Sequence, residues 1–295
     1  MLFRSQVFDH ASTIQFIEKR FGVFERNISP WRRTVCGDLT SVFNFKNPNE
    51  DRDEDRVRLP STDSYLPPIG ELSGAVNPPD VPVTRDNVIF GVPSQEKGVR
   101  RARALPYELN VHGTVDAASS TVELHFVNSG KAGAVFQVRS GRTTDPVRNY
   151  TVEAGKMLSG TWTVSGSFDL NVYGPNGFTR HFKGSVGAGA AALLVDSEYG
   201  TDDEGSIRLS IRNNGKQKAT VTVLEAYSGE KVVRVLSPGG NAEGGLSLER
   251  FRGWYDVVVT VAEDSSFERR LTGHVETGRD SISDPAMGGL LTLKA

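Results

Sequence analysis

An internal duplication in the second half of the chain is the feature that most constrains its fold. The segment NSGKAGAVFQV at 128–138 aligns with NNGKQKATVTV at 213–223. Further on, FTRHFKG at 178–184 aligns with FERRLTG at 267–273. Turn, strand pattern and terminal glycine recur in the same order, so one structural unit is present twice.

Each unit has the pattern of antiparallel β-strands. Apolar and polar residues alternate from residue 105 onward, and turn sequences such as NSGK and GPNG separate the runs. A period of two buries one face of each strand, and short strands at regular spacing predict a β-sandwich. We therefore predict a mainly β protein with two tandem small antiparallel β-sandwich domains. They cover 105–187 and 191–280, and a tail follows over 281–295.

Residues 1–46 have a helical pattern instead. Ser12 is the predicted N-cap of a helix in which Ile14, Ile17 and Phe21 recur along one face. A segment of about 45 residues is too small to bury such a face by itself. We expect another part of the protein to cover it.

A second helix is predicted directly after the first. Ser29 can cap it, with Pro30 at the first helical position. An apolar face is then predicted to run as far as Val42.

Residues 47–104 have no regular periodicity and are predicted to form an extended linker or strap. The segment begins with the charged run EDRDEDR and continues with prolines from Pro60 to Pro93. Proline fixes φ and removes a backbone donor, which favours extended chain. The acidic residues of this run could suggest calcium, but they lack the glycine-containing register of an EF-hand loop. A solvated charged linker is the stronger interpretation.

Composition excludes several classes of function. The 34 Lys and Arg residues are balanced by 36 Asp and Glu, which disfavours nucleic acid as a partner. A single cysteine, Cys36, excludes a disulfide framework and a cysteine-based metal site within the chain. No stretch approaches the roughly 20 apolar residues of a transmembrane segment. The start, MLFRSQVFDH, also lacks a signal peptide, and this alone would indicate a cytosolic protein.

The two sandwiches contain no recognisable catalytic motif. Their histidines, His112, His125, His181 and His274, are isolated, and each is interpreted as a polar residue on the wet face of a strand. Cys36 is interpreted as an inert core residue, although a nucleophilic pair with His10 is an alternative.

The candidate catalytic residues are His10 and Asp9, at the junction between an apolar pair and the first helix. Ligands of open α/β sheets bind at such junctions. His10 could ligate a metal or contact a phosphoryl oxygen, with Asp9 orienting its ring. The other interpretation is a helix-capping Asp beside a structural His.

The residues around this pair resemble a known family. SQVFDHAST, FIEKRFGV and NISPWRRTVCGDLTSVFNF resemble the last part of the catalytic domain of bacterial phosphocholine-specific phospholipases C. PSQEKGVRRARALPYEL at 93–109 resembles the segment that leads into their C-terminal domains, the duplicated unit resembles their paired C-terminal domain, and SISDPAMG resembles their ending.

The resemblance implies that residues 1–46 are the helical remnant of an α/β phosphoesterase domain. The parent enzyme would be secreted and would hydrolyse membrane phosphatidylcholine or sphingomyelin, releasing phosphocholine and diacylglycerol or ceramide. Its nucleophile, its divalent metal ligands and its export signal would lie upstream. We therefore expect the 295-residue chain to be a fragment that is inactive alone.

Two alternatives remain open. The chain could be a non-enzymatic module in which the sandwiches bind lipid, carbohydrate or protein through aromatic residues such as Trp162, Tyr173 and Trp254. Core packing is the stronger interpretation of these three rings. The parent could also be a related phosphatase, although such enzymes are not expected to carry a sandwich pair.

Overall fold

The computed structural model of the chain describes residues 4–46, 98–187, 189–200 and 205–286. Of these residues, those up to Val42 and those from 98 onward belong to one compact unit. The predicted strap at 47–104 lies outside the described residues up to position 97.

The described residues form two α-helices and sixteen β-strands. The helices are α1 (His10–Phe21) and α2 (Pro30–Val35), with short 3-10 turns at Thr40–Val42 and Glu249–Phe251. The first eight strands are β1 (Arg101–Ala102), β2 (Leu109–Asp116), β3 (Thr121–Asn128), β4 (Ala134–Ser140), β5 (Arg148–Val152), β6 (Lys156–Thr163), β7 (Ser167–Tyr173) and β8 (Thr179–Ser185). The second eight are β9 (Leu193–Gly200), β10 (Ser206–Asn213), β11 (Ala219–Glu225), β12 (Lys231–Leu236), β13 (Asn241–Ser247), β14 (Trp254–Val261), β15 (Asp264–His274) and β16 (Ser281–Ile282).

Each repeat encloses its own core between two layers of antiparallel strands. In repeat 1 the layers are β2-β3-β6 and β5-β4-β7-β8, and in repeat 2 they are β9-β10-β13 and β12-β11-β14-β15. Alternate residues of each strand point inward, as the period-two pattern requires. The largest buried side chains include Phe126 and Phe136 in repeat 1 and Ile207 and Tyr255 in repeat 2. The mainly β fold with tandem sandwiches is confirmed.

The two sandwiches share one sheet. Strand β8 pairs antiparallel with β15, so the two four-stranded layers join into a continuous sheet of eight strands. These are the strands that carry the duplicated FTRHFKG and FERRLTG sequences. His181 lies opposite Arg270, its counterpart in the other repeat. An approximate twofold axis therefore passes through this pair.

A buried asparagine braces the same turn in both repeats. Asn128 donates to the carbonyls of Ala132 and Val152 and accepts from the amide of Gly130. Its counterpart Asn213 makes the matching three bonds, to Gln217, Leu236 and Gly215. Both side chains are buried. The identical network supports the duplication inferred from sequence.

The helical segment differs from its prediction in two details. Asp9, not Ser12, is the N-cap of α1, because Ser12 occupies the N3 position of a capping box in which each side chain bonds the other residue's backbone. The second helix begins as predicted, with Ser29 as the cap and Pro30 at its start, but it ends at Val35. Leu39 has a φ of 64°, which is incompatible with continuing the helix.

The two ends of the sandwich region are tied together by a short sheet. β1 pairs with β16, and the amide of Ser283 donates to the carbonyl of Arg100 at 2.7 Å. The start of the predicted tail is thus an ordered strand.

The asparagine brace generates a stability prediction. Replacing Asn213 with Ala removes three hydrogen bonds and leaves buried backbone groups without partners, so the free energy of unfolding should fall by about 3 kcal/mol. Its neighbour Asn214 is exposed, and Asn214→Ala is the matched control. Urea unfolding of both variants measures the difference, and equal stabilities would contradict a bracing role.

Candidate functional site

Asp9 and His10 lie at the beginning of α1, as the sequence placed them. The Asp9 carboxylate accepts from the Ser12 amide at 3.2 Å and pairs with the Arg32 guanidinium. Burial of Asp9 opposes its ionisation, but the hydrogen bond and charge of Arg32 outweigh that effect and lower the pKa of the carboxyl. Among the described contacts, Asp9 makes no hydrogen bond to the His10 ring. Asp9 is therefore engaged by Arg32, and the His10 side chain is exposed.

Cys36 lies close to Asp9 and is buried. Burial raises the pKa of the Cys36 thiol, and the negative charge of Asp9 raises it further. A nucleophilic cysteine needs the opposite environment, one that stabilises the thiolate. The alternative of a Cys36 nucleophile paired with His10 therefore has no support in this geometry.

The apolar face of α1 points outward. His10, Ile14, Ile17 and Phe21 follow one another at spacings of four, three and four, which places them on one side of the helix. All four are exposed, and Phe21 is 68% exposed. The buried residues of α1 are small or polar: Ala11, Ser12 and Gln15. This is the inverse of a surface helix, which buries its apolar stripe.

The Glu18–Arg33 pair fixes α1 against the segment that contains α2. Glu18 accepts two hydrogen bonds from Arg33, both at 2.9 Å, and one from the amide of Glu25. These bonds lower the pKa of Glu18 to about 2. Arg33 also lies 4.1 Å from the centre of the Phe24 ring. The orientation of α1 is thus set by polar contacts and not by its apolar face.

The α2 segment is docked in turn on repeat 1. The amide of Gly133 donates to the Thr34 carbonyl at 3.1 Å, and the Trp31 indole N–H donates to Thr151 Oγ1 at 2.9 Å. A Cβ atom on Gly133 would lie 2.4 Å from Thr34 Cγ2, so glycine is needed for this approach. The outward face of α1 therefore has a fixed direction relative to repeat 1.

Histidines that the sequence left isolated connect the two repeats. His181 lies between Asp169 of repeat 1, at 2.8 Å, and Glu268 of repeat 2, at 2.9 Å. His112 of repeat 1 contacts Asp196 of repeat 2 at 2.9 Å. In two of these three contacts the partner is more than eighty residues away, and in the third it lies on another strand, so no local motif could reveal them. Both contacts join elements of the fold.

A Ser-His-Glu arrangement forms where β15 meets the tail. Ser281 Oγ lies 3.1 Å from His274 Nε2, and Glu276 Oε1 lies 2.9 Å from His274 Nδ1. This order of groups is that of a hydrolytic triad. However, the Arg252 carbonyl oxygen lies 2.9 Å from the same Nε2 and accepts from Ser281 Oγ at 2.6 Å.

The Arg252 carbonyl decides the role of this arrangement. A general base needs an unprotonated Nε2 facing the serine. A carbonyl oxygen at 2.9 Å favours a donor at Nε2, and it already accepts the serine proton. Glu276 also accepts from the amide of Leu105 at 2.8 Å. The group is a structural clamp that holds the tail and the start of repeat 1.

Of the three aromatic binding candidates, two are core residues. Trp162 and Trp254 are buried, and the Trp254 indole N–H donates to the Ile282 carbonyl at 2.9 Å. Tyr173 is exposed. The core interpretation is confirmed for both tryptophans, which removes them from the binding-module alternative.

A metal-binding cluster and a membrane-spanning helix are both absent from the described residues. Within them, no group of three or more His, Cys, Asp and Glu side chains is arranged to hold a metal ion. No helix in the described ranges is both long enough and apolar enough to cross a bilayer.

Comparison with known proteins identifies relatives of this chain. The family model "Bacterial phospholipase C, C-terminal domain" matches residues 101–185 and again 190–274. The chain is 44% identical over 293 residues to a non-hemolytic phospholipase C of Burkholderia pseudomallei, covering 95% of the chain and 40% of that relative.

Two Pseudomonas aeruginosa proteins are also similar. A non-hemolytic phospholipase C is 41% identical over 98% of the chain and 42% of its own length. A hemolytic phospholipase C is 34% identical over 96% of the chain and 42% of its own length. The chain thus spans about two fifths of the length of the curated relatives it matches.

The clamp interpretation of Ser281 predicts an unreactive serine. A fluorophosphonate probe should form no adduct at Ser281, because the hydroxyl proton is directed to the Arg252 carbonyl and not to His274. Peptide mass spectrometry after labelling tests this. An adduct at Ser281 that disappears in His274→Ala would instead establish a nucleophile.

The low pKa of Glu18 predicts a stability effect in acid. Because the folded-state pKa of about 2 lies below the usual 4.5, the Arg33 contact stabilises the fold above pH 4.5 and is lost as the pH falls towards 2. Thermal unfolding of Glu18→Gln should therefore differ from the unmodified chain at pH 6 and converge with it near pH 2. Glu153, which is exposed, supplies the control Glu153→Gln. An equal difference at both pH values would contradict the assignment.

Proposed function

The chain belongs to the bacterial phospholipase C family, and we propose that it is the C-terminal part of an enzyme that hydrolyses phosphatidylcholine or sphingomyelin. The products would be phosphocholine and diacylglycerol or ceramide. The relatives named above are phospholipases C, and about three fifths of their length lies outside the match. In this proposal that remaining part carries the catalytic machinery.

The outward apolar face of α1 is the observation that carries this proposal. Ile14, Ile17 and Phe21 of α1 are exposed, whereas Ser12 and Gln15 are buried. The apolar side of the helix is therefore available for contact with another part of the protein. Exposed apolar patches of this kind mark interaction surfaces. We propose that the catalytic part of the same polypeptide covers this face.

His10 begins the same face of α1, which gives it a place at the edge of the proposed contact. Its ring is exposed and available to a phosphoryl oxygen or to a group on the catalytic part. Asp9 would act indirectly, because its side chain caps α1 and forms an ion pair with Arg32. Catalytic participation of both residues remains a proposal.

The proposed enzyme would use a divalent metal, which stabilises charge on a transferring phosphoryl group. The described residues offer no matching ligand set, so no step is assigned to a metal here. We also propose that the parent protein is secreted, since its substrate is membrane phospholipid.

A domain exchange tests the proposal. The chain alone should not hydrolyse a chromogenic phosphocholine ester, whereas a hybrid in which it replaces the matching segment of the Burkholderia relative should do so. In that hybrid, Ile17→Asp should lower activity at least about tenfold, because a carboxylate would be buried in an apolar contact.

The control places the same charge away from the face. Asn27 is exposed in the loop after α1, so Asn27→Asp should leave the activity of the hybrid unchanged. Hydrolysis by the isolated chain would overturn the fragment proposal. Equal activity of the two hybrid variants would overturn the assignment of the α1 face as the contact.

A further inference from the structure

The edge strand β12 exposes a cluster of valines. Val232, Val233 and Val235 are 45%, 52% and 63% exposed, and we call them the β12 patch. β12 is the last strand of the eight-stranded sheet, paired only with β11 among the described strands. Isolated exposed valines are ordinary, but three exposed valines within four positions of one edge strand are not.

The register explains which way these side chains point. Val233 and Val235 lie opposite Thr222 and Thr220 of β11, on the outer face of the sheet. Val232 lies opposite Val223, on the core side, and is exposed because β12 is at the edge. The patch therefore wraps around the edge of the sheet.

Repeat 1 shows that the fold does not require valines here. Ala134 pairs with Val152 in repeat 1 as Ala219 pairs with Leu236 in repeat 2. Counting back along the two strands, Val235 corresponds to Thr151, and Val233 to Asn149. Repeat 1 is thus polar at both outer positions.

The two edge strands of the eight-stranded sheet, β5 in repeat 1 and β12 in repeat 2, also differ in what packs beside them. In repeat 1 the Trp31 side chain bonds Thr151, and Gly133 admits the α2 segment. The counterpart of Gly133 is Lys218, which is exposed, and the described helix α2 packs against β4 of repeat 1. Among the residues that the structure describes, the edge covered by the α2 segment is polar, whereas the β12 edge is apolar. The fold itself gives no reason for this inversion.

We propose that the β12 patch rests on the surface of a phosphocholine-lipid bilayer. Glu230 and Lys231 precede the valines, and Lys231 shares the outer face of Val233 and Val235, whereas Arg234 lies on the same side of the strand as Val232; all three charged residues are exposed. A carboxylate complements the choline cation, and Lys or Arg can place its stem along apolar groups and its charge at the lipid phosphate. This mixed charge suits a zwitterionic surface. The choice of lipid rests on the proposed function.

A second copy of the chain is the less favoured occupant. Edge-to-edge strand pairing is resisted by Lys and Arg on the edge, which is a common means of preventing association. β12 carries Lys231 and Arg234 in six residues.

Vesicle sedimentation of the full 295-residue chain tests the proposal. Vesicles of phosphatidylcholine should retain the unmodified chain, and Val233→Asp with Val235→Asp should lower the partition coefficient about tenfold or more. The matched control is Asn149→Asp with Thr143→Asp, at two exposed polar positions of repeat 1. It adds the same charge and should change partitioning less than twofold. Circular dichroism confirms that each variant is folded.

Other outcomes overturn the proposal. If Ile17→Asp with Phe21→Asp abolishes vesicle binding while the β12 variant does not, the bilayer contacts α1 instead. If the unmodified chain does not bind, or binds equally in the β12 variant and its control, the patch has no lipid role. A dimer in sedimentation velocity that the β12 variant dissociates would assign the patch to a second copy.

The enzymatic proposal is tested separately. Hydrolysis of a soluble phosphocholine ester by the hybrid enzyme does not need a bilayer. Normal hydrolysis of this ester together with unchanged vesicle binding by the β12 variant would therefore remove the lipid patch and leave the proposed function intact.

Discussion

The pairing of β8 with β15 is the interaction on which the rest of the structure depends. It joins equivalent strands of the two repeats and makes one sheet from two. Arg180 on β8 and Arg269 on β15 are counterparts, and both are buried. Each guanidinium stacks on the phenylalanine two residues earlier, at 4.3 Å and 4.4 Å.

The partners of these arginines come from both repeats. Arg180 donates to the hydroxyls of Tyr199 and Tyr255, which belong to repeat 2. Arg269 donates to the carbonyl of Lys183 in repeat 1, and burial lowers the pKa of its guanidinium to about 9. A buried cation without its hydrogen-bond partners is strongly unfavourable. Neither repeat could satisfy its arginine alone, so the tandem domains are expected to fold as one unit.

This shared sheet also separates the two proposed surfaces. The α2 segment docks beside β4 and β5 at one end, and β12 forms the other end. Eight strands at about 4.8 Å spacing place these edges about 34 Å apart along the sheet. The α1 face would contact the catalytic part near one edge while the β12 patch faces lipid near the other.

Much of the fold could be predicted from sequence, because alternation and turn residues act over a few positions. The duplication, the sandwiches and the Pro30 start of α2 all follow from local patterns. The pairing of β8 with β15 did not, since nothing local in either strand specifies a partner about ninety residues away.

Less of the candidate site than of the fold could be predicted from the sequence. The positions of His10 and Asp9 at a helix start followed from the sequence, but Asp9 is engaged by Arg32, a contact that depends on how α2 packs. The apolar period of α1 is evident from the sequence, whereas the outward direction of its apolar face is not. The direction of the α1 face depends on the Gly133–Thr34 and Glu18–Arg33 contacts, which form only in the folded structure.

Side-chain footprinting of α1 tests the central claim most directly. Hydroxyl radicals should oxidise Phe21 readily in the isolated chain, where this ring is 68% exposed. In the hybrid enzyme, the oxidation rate of Phe21 should fall several-fold, while that of the exposed Tyr173 stays the same. Equal oxidation of Phe21 in both proteins would contradict the claim that the catalytic part covers the α1 face.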